Sequence, residues 1–291
     1  MITQPVLQEA IALVMPFIQP GVEVRKMHSQ VLDQGMQLFI KLPWGYERND
    51  MSYPVLYCLD ANRSFPLYST ISIIAETPGF NAREIIIVGI GYQVDEDRLR
   101  GLAQWAAWRT RDLTPERSDE IDTFWQERLS PLMGGEEIQI HSGGAQNFLQ
   151  SIKEEIIPFI ESNYRAASKE RGLAGYSYGG LFTLYTLFNE TDLFARYFAG
   201  SPTIVDKLFQ DEENFALGHG DMKARLLLTA GSQETELLES LRRMVASLQS
   251  RMYPGLEVQT HVFEDESHVS AAPASISRAL HTLYYQSRRG D

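Results

Sequence analysis

Apolar positions along this chain follow two alternating rhythms. Short runs rich in β-branched and aromatic residues mark eight candidate strands: Val22–Val31, Met36–Leu42, Val55–Leu59, Ile85–Gly89, Gly172–Tyr176, Tyr197–Ala199, Arg225–Ala230 and Glu257–Phe263. The runs IIIV and LLLT are continuously apolar, as strands covered on both faces must be. The first two runs are separated by Asp33-Gln34-Gly35, a turn signal, so the chain is expected to open with an antiparallel pair. Between strands the rhythm becomes helical. Phe148, Ile152, Ile156 and Ile160 recur at four-residue spacing; Leu237, Leu238, Leu241, Val245 and Leu248 share one face; Ile276, Leu280 and Leu283 do so near the end. Strand–helix alternation predicts an α/β fold: a mostly parallel sheet of about eight strands with helices on both faces.

One stretch breaks the alternation. Residues 104–147 read as irregular and rich in charge, Pro and Gly, and they hold Trp105, Trp108 and Trp125. The expectation is one domain over residues 1–291 with a lid-like insertion at about 104–147. Its tryptophans either cover a substrate or cap the core beneath.

Composition narrows the function. The 291 residues carry a formal net charge of -12, which disfavours nucleic acid and anionic membranes as partners. The single cysteine, Cys58, lies in an apolar run and reads as a buried thiol. No run has the length of a membrane helix. The N-terminal stretch VLQEAIALVMPFI has no basic residue before it and is interrupted by Glu9. It predicts an amphipathic helix rather than a secretion signal, hence a cytoplasmic enzyme, or a periplasmic one if a leader is missing.

The candidate chemistry centres on LAGYSYGG, residues 173–180. A bare G-x-S-x-G is weak evidence, but here RGLAGYS reads as a strand and YGGLFTLYTLF as the helix that follows. That is the strand–turn–helix setting of a nucleophile elbow, with Ser177 as nucleophile. Gly175 and Gly179 are expected to be glycine because side chains there would clash, and Gly180 because the helix lies near the strand. The Tyr178 N–H, at the helix N-terminus, is an oxyanion donor.

In this chain order an acid and then a histidine should follow, each after a later strand. His268, in FEDESHVS after the last strand, is the candidate base; His219, His261 and His281 are less well placed. Glu234, in TAGSQETE, is the candidate acid, with Asp206 its rival. A helix start also favours acids, and Ser232 reads as its N-cap. A second oxyanion donor belongs to the loop LDANRSF, where the Asn62 N–H is the candidate and Asp60 is expected to fix the turn through local hydrogen bonds.

These residues resemble a known family. KLPWGY, YPVLYCLDAN, IIIVGIGY, RTRDLTP, GGAQNFLQSIKEEIIPFIESNY, LAGYSYGG, TAGSQE and SHVS occur in the order seen in the esterase D-like, enterochelin-esterase-like branch of the α/β-hydrolases. The resemblance covers about residues 24–283. It implies the α/β-hydrolase fold, and carboxylic-ester hydrolysis by Ser177 and His268 with an acid at or near Glu234; some relatives work as dyads. The LDAN turn is similar to the family's LDG turn, with Ala61 in place of the glycine. RTRDLTP resembles a segment at the active-site mouth, so Arg109 and Asp112 either shape the pocket or form a salt bridge beneath the lid. Trp105, Trp108, Arg109 and Trp125 are the candidate substrate contacts.

The expected reaction is acyl transfer to water through an acyl-enzyme, on a small-molecule ester and without metal or organic cofactor. A siderophore ester, being anionic, would need a basic patch, for which Arg63, Arg109, Arg111 and Arg117 are available. A neutral acyl or aryl ester would need only the lid, and S-formylglutathione is a further option. An acyltransferase on the same site and a non-catalytic binding protein are the rival readings; an intact Ser177 and His268 argue against the second.

Overall fold

The computed structural model describes residues 21–77, 83–134, 138–218 and 221–284. The expected N-terminal helix and His219 lie outside them. The chain opens with β1 (Val22–Ser29) and β2 (Gln34–Lys41), paired antiparallel as their turn predicts. β3 (Tyr53–Cys58), α1 (Ala61–Ala75) and β4 (Ile86–Tyr92) begin the alternation. Next come α2 (Arg98–Asp112), α3 (Asp119–Leu129) and α4 (Ala145–Ser151), which runs through a π-helical turn, Ile152–Ile156, into α5 (Ile157–Asn163). β5 (Ala166–Tyr176), α6 (Tyr178–Asn189), β6 (Arg196–Gly200) and α7 (Asp206–Gly218) follow. β7 (Ala224–Gly231), α8 (Thr235–Arg251), β8 (Leu256–Phe263) and α9 (Ala271–Tyr284) complete the sequence.

All eight strands join one sheet in the order β1-β2-β4-β3-β5-β6-β7-β8. From β4 to β8 every neighbouring pair is parallel, while β2 meets β4 antiparallel. This is the α/β-hydrolase order. The continuous apolar runs are explained by burial on both faces. Val55 and Tyr57 of β3 face the core built by α4–α8, with Phe148, Phe182 and Leu241; Leu56 and Cys58 face the core under α1 and α9, with Phe65, Tyr68 and Leu280. Each fully buried side chain of this size stabilises the fold by roughly 1.5–3 kcal/mol. No described helix is long and apolar enough to cross a membrane.

The stretch expected to be irregular is largely helical. Asp97 caps α2, its carboxylate accepting from Leu99 and Arg100 N–H at 3.1 and 3.0 Å. Ser118 caps α3, whose first turn carries Asp119, Glu120 and Asp122 against the positive helix end. Ala103, Ala106 and Ala107 on the buried side of α2 pack on Leu129, Met133, Ile138 and Ile140 as a separate small core.

Candidate active site

Parallel strands end on one side of the sheet, and the turns that leave them carry the candidate residues. β5 ends at Tyr176 and α6 begins at Tyr178, so Ser177 alone makes the turn, with φ 61° and ψ -119°. That left-handed backbone is costly for a non-glycine residue. It is held by the Ser177 N–H bonding to Gly200 O at 2.8 Å and by Ser177 O accepting from Leu181 N–H at 3.0 Å. A Cβ on Gly175 would lie 2.1 Å from Gly179 O, so only glycine fits there, and at Gly180 it would sit 3.0 Å from Gly200 O and Pro202. Gly179 departs from expectation. A Cβ there would meet Asp60 and Leu59 at 3.5 Å or more, an ordinary contact.

Glu234 and His268 come together from two other strand ends. Glu234 follows β7, His268 follows β8, and His268 Nδ1 lies 2.5 Å from Glu234 Oε1. The other carboxylate oxygen accepts from Gly231 N–H at 2.7 Å and lies 2.7 Å from Ser201 Oγ. Glu234 stands at the N-cap position of α8, yet its side chain makes no capping bond. The carboxylate is therefore committed to the histidine and not to the helix end. Ser232 is not the cap either; its Oγ accepts from Asp265 N–H at 2.9 Å and pins the histidine-bearing turn. Asp206 begins α7. Among the described residues, the His268 ring bonds Glu234 and not Ser177. Its side chain is 44% exposed, whereas that of Glu234 is 7% exposed.

The amides expected to hold an oxyanion open two neighbouring helices. Tyr178 is the first residue of α6 and Asn62 the second of α1, where N–H groups have no partner within the helix. Gly179 packs beside Leu59 and Asp60, bringing the two helix starts together. The Asn62 side chain fixes its own turn, with Nδ2 donating to Tyr92 O at 2.9 Å and Oδ1 accepting from Tyr92 N–H at 2.8 Å. Asp60, at φ 57°, makes no local side-chain cap. Instead it accepts two bonds from Arg109, Nε to Oδ1 at 2.7 Å and Nη2 to Oδ2 at 2.8 Å.

Comparisons with known proteins bear on the family and the fold. A family model described as "Putative esterase" matches residues 134–269. The ferri-bacillibactin esterase BesA of Bacillus subtilis is 30% identical over 275 residues, covering 91% of this chain and 90% of its own. The chain belongs to this esterase family, the enterochelin-esterase-like branch of the α/β-hydrolases. The siderophore triacetylfusarinine C esterase of Aspergillus fumigatus is 26% identical over 87% of the chain and 90% of its own length. The crystal structure of a BES protein from Bacillus cereus superposes with a TM-score of 0.75 at 26% identity, covering 94% of this chain and 98% of that one. The chain is thus a serine esterase, a hydrolase of carboxylic esters, and its substrate is a small-molecule ester.

Around the esterase's elbow the four candidate substrate contacts separate. Trp125 on α3 reaches Tyr178 through Nε1–H to the phenol oxygen at 3.4 Å. Trp105 is partly buried on α2, with the Arg63 and Arg109 guanidiniums 5.0 and 5.1 Å from its ring centre. Trp108 instead packs on Tyr92, ring centres 5.7 Å apart, and joins the main core. Arg109 is buried, doubly bonded to Asp60 and stacked on Tyr178 at 5.1 Å as well as on Trp105, so it is a structural post rather than a free substrate contact. Asp112 does not pair with Arg109. It is fully buried and accepts from Tyr92 OH at 3.0 Å and Arg111 Nε at 2.6 Å. Burial pushes its carboxyl up, against the opposing pull of Arg111 and Tyr92.

Sequence reasoning missed Tyr176 and Ser201. Tyr176 OH donates to His268 O at 2.7 Å, and Ser201 Oγ lies 2.7 Å from the same phenol. Burial pushes the Tyr176 phenol up to about 12, with the charge of Glu234 adding to the effect against the Ser201 hydrogen bond. The group is therefore an intact O–H donor at neutral pH. The available signal was position: Ser201 directly follows β6, in register with the end of β5.

Proposed function

We propose that Ser177 is the nucleophile, His268 the general base and Glu234 the acid that orients it. The observation that carries this reading is the 2.5 Å contact from His268 Nδ1 to Glu234 Oε1, on turns beside an elbow whose serine has φ 61°. His268 takes the Ser177 proton as the oxygen attacks the ester carbonyl. The Tyr178 and Asn62 N–H groups hold the oxyanion, His268 protonates the leaving alcohol, and water releases the acyl-enzyme. General-base action contributes on the order of 10²–10⁴ in rate, and each oxyanion donor roughly 10²–10³. The contacts of Trp125 with Tyr178 and of Trp105 with Arg63 and Arg109 support reading α2 and α3 as the mouth over this site.

The substrate class we propose is a siderophore ester. The names of the two curated relatives support it, and so does one cation. Arg109, Arg111 and Arg117 are paired with carboxylates. Arg63 is exposed, lies one residue after Asn62 and stacks on Trp105, with no carboxylate bonded to it among the described residues. A cation over an aromatic face suits an anionic, aromatic ligand such as the iron complex of a catecholate ester.

The test compares p-nitrophenyl esters of increasing chain length with an iron-loaded catecholate trilactone, using wild type, Ser177→Ala and Arg63→Ala. Ser177→Ala should reduce both activities to background; a retained activity removes Ser177 as nucleophile. Arg63→Ala should raise KM for the anionic trilactone about tenfold and leave the neutral esters unchanged. Equal effects on both would discard the siderophore reading while leaving the esterase intact.

A further inference from the structure

The four residues Tyr176, Ser201, Glu234 and His268 close a ring of short contacts. Starting from the base, His268 Nδ1 meets Glu234 Oε1 at 2.5 Å, Glu234 Oε2 meets Ser201 Oγ at 2.7 Å, Ser201 Oγ meets Tyr176 OH at 2.7 Å, and Tyr176 OH meets the His268 carbonyl at 2.7 Å. The protons can be counted. A carbonyl only accepts, so the Tyr176 proton goes to His268 O. The single Ser201 proton then goes to one of the two oxygens that face it, Glu234 Oε2 or the phenol oxygen.

Two features show that Ser201 is held where it is at a cost. It is fully buried, and its backbone sits at φ 37°, left-handed like that of Ser177. Strain of this kind costs on the order of 1–3 kcal/mol and persists only when the surroundings over-determine it. The surroundings here are the Ser201 N–H donating to Thr229 O at 2.8 Å and the adjacent Gly200 O receiving the Ser177 N–H at 2.8 Å. Gly200 and Tyr176 are register partners in β6 and β5. One pair of strand ends thus holds the nucleophile through its backbone and the acid and base through two hydroxyls. His268 needs such a tether, because it stands on a turn whose side chains are largely exposed.

We propose that Tyr176 and Ser201 are positioning residues of the esterase: their hydroxyls lock the turns carrying Glu234 and His268 to the strand ends that carry Ser177. This rests on the triad assigned above. Neither hydroxyl touches the reacting atoms. Their contribution is to keep the imidazole in line with the nucleophile, where a misplacement of about 1 Å costs on the order of 100-fold in rate.

The experiment uses the full chain with Tyr176→Phe, Ser201→Ala, Ser201→Gly and the double variant Tyr176→Phe/Ser201→Ala. It records kcat and KM for a p-nitrophenyl ester together with Tm. Each single variant should lower kcat about 10- to 100-fold with KM within twofold. Ser201→Gly separates the hydroxyl from folding, since glycine accepts φ 37° without strain; it should lose kcat while keeping its Tm. The double variant should be little worse than the worse single one, because a ring is broken once. Wild-type kcat in the single variants, a loss confined to KM, or losses that follow only the fraction folded would each overturn the proposal. If instead Ser177→Ala or His268→Ala retains activity, the triad fails, and with it anything for the ring to position; the two failures are therefore distinguishable.

Discussion

The two ends of α1 are both tied by ion pairs taken out of solvent, and they do different work. At the N-terminal end Asp60 meets Arg109 with both carboxylate oxygens engaged, and the guanidinium is flanked by Trp105 and Tyr178. A carboxylate is favourable at that end of a helix. At the C-terminal end Glu76 meets Lys41 and Ser72 through one oxygen, while its second oxygen is buried with no hydrogen-bond partner among the described residues. A carboxylate is unfavourable there, and Lys41 offsets it. Burial pulls the Lys41 ammonium below its ordinary value, with Glu76 pushing back. The second pair is also drier, at 2% exposure for each side chain against 9% and 13% for the first. The lesson is that the better-satisfied pair holds the turn that carries Asn62, the proposed oxyanion donor, whereas the poorly satisfied one lies at the far end of the same helix.

Substitutions can break that contrast. Arg109→Met should have the largest effect. It leaves the partly buried Asp60 uncompensated at a cost of about 3 kcal/mol, and by releasing the Asn62 turn it should lower kcat on a p-nitrophenyl ester about 100-fold, the loss expected for one oxyanion donor. A variant that loses stability but keeps kcat would show that the pair is structural at this end too. Glu76→Gln should cost about 3 kcal/mol in urea unfolding, because Lys41 loses its counter-charge, yet leave kcat of the folded enzyme within twofold. A loss of kcat there would erase the distinction between the two ends. The double change Lys41→Met/Glu76→Leu should recover most of that stability, since a buried pair replaced by apolar residues of similar volume is often neutral or better.

A third carboxylate sharpens the comparison at the smallest scale. Burial raises the Glu155 carboxyl, but hydrogen bonds from Ser29, Ser151 and the Val31 and Gln30 N–H groups outweigh it and hold the group below its ordinary value. A depressed folded value means a contribution present above the unfolded-state pKa and lost as pH falls through the folded one. Glu155→Gln should therefore destabilise by roughly 1 kcal/mol at pH 7, with the gap from wild type closing as pH falls below about 4. A gap that stays constant between pH 7 and pH 3 would mean that the charge contributes nothing.

Much of this molecule was legible because its strands announce themselves. Each of the eight runs became a strand of the one sheet; the central ones, such as β3 and β4, are continuously apolar because they are buried on both faces, while the edge strands β1 and β8 are largely exposed. The candidate nucleophile, acid and base were legible for a related reason: chain order and strand ends locate them, and Glu234 and His268 do meet. What stayed hidden depended on distance or on size. Asp60 and Arg109 are 49 residues apart, and no local pattern links them. α2 was concealed because its buried side is made of small and polar residues, Ala103, Ala106 and Ala107 with Arg109 and Asp112, so its periodicity lacks the large apolar residues that reveal a helix. The Gly179 clash was an inference from the motif that the actual spacing does not require.

The position of Arg109 divides α2 lengthwise. Its inward side is spoken for by alanines packed at close range and by a guanidinium locked to Asp60, while Leu99 and Leu102 on the same helix are 55% and 37% exposed. Substitutions on the outer side of the helix should therefore cost the fold little, while those on the inner side disturb packing or the ion pair.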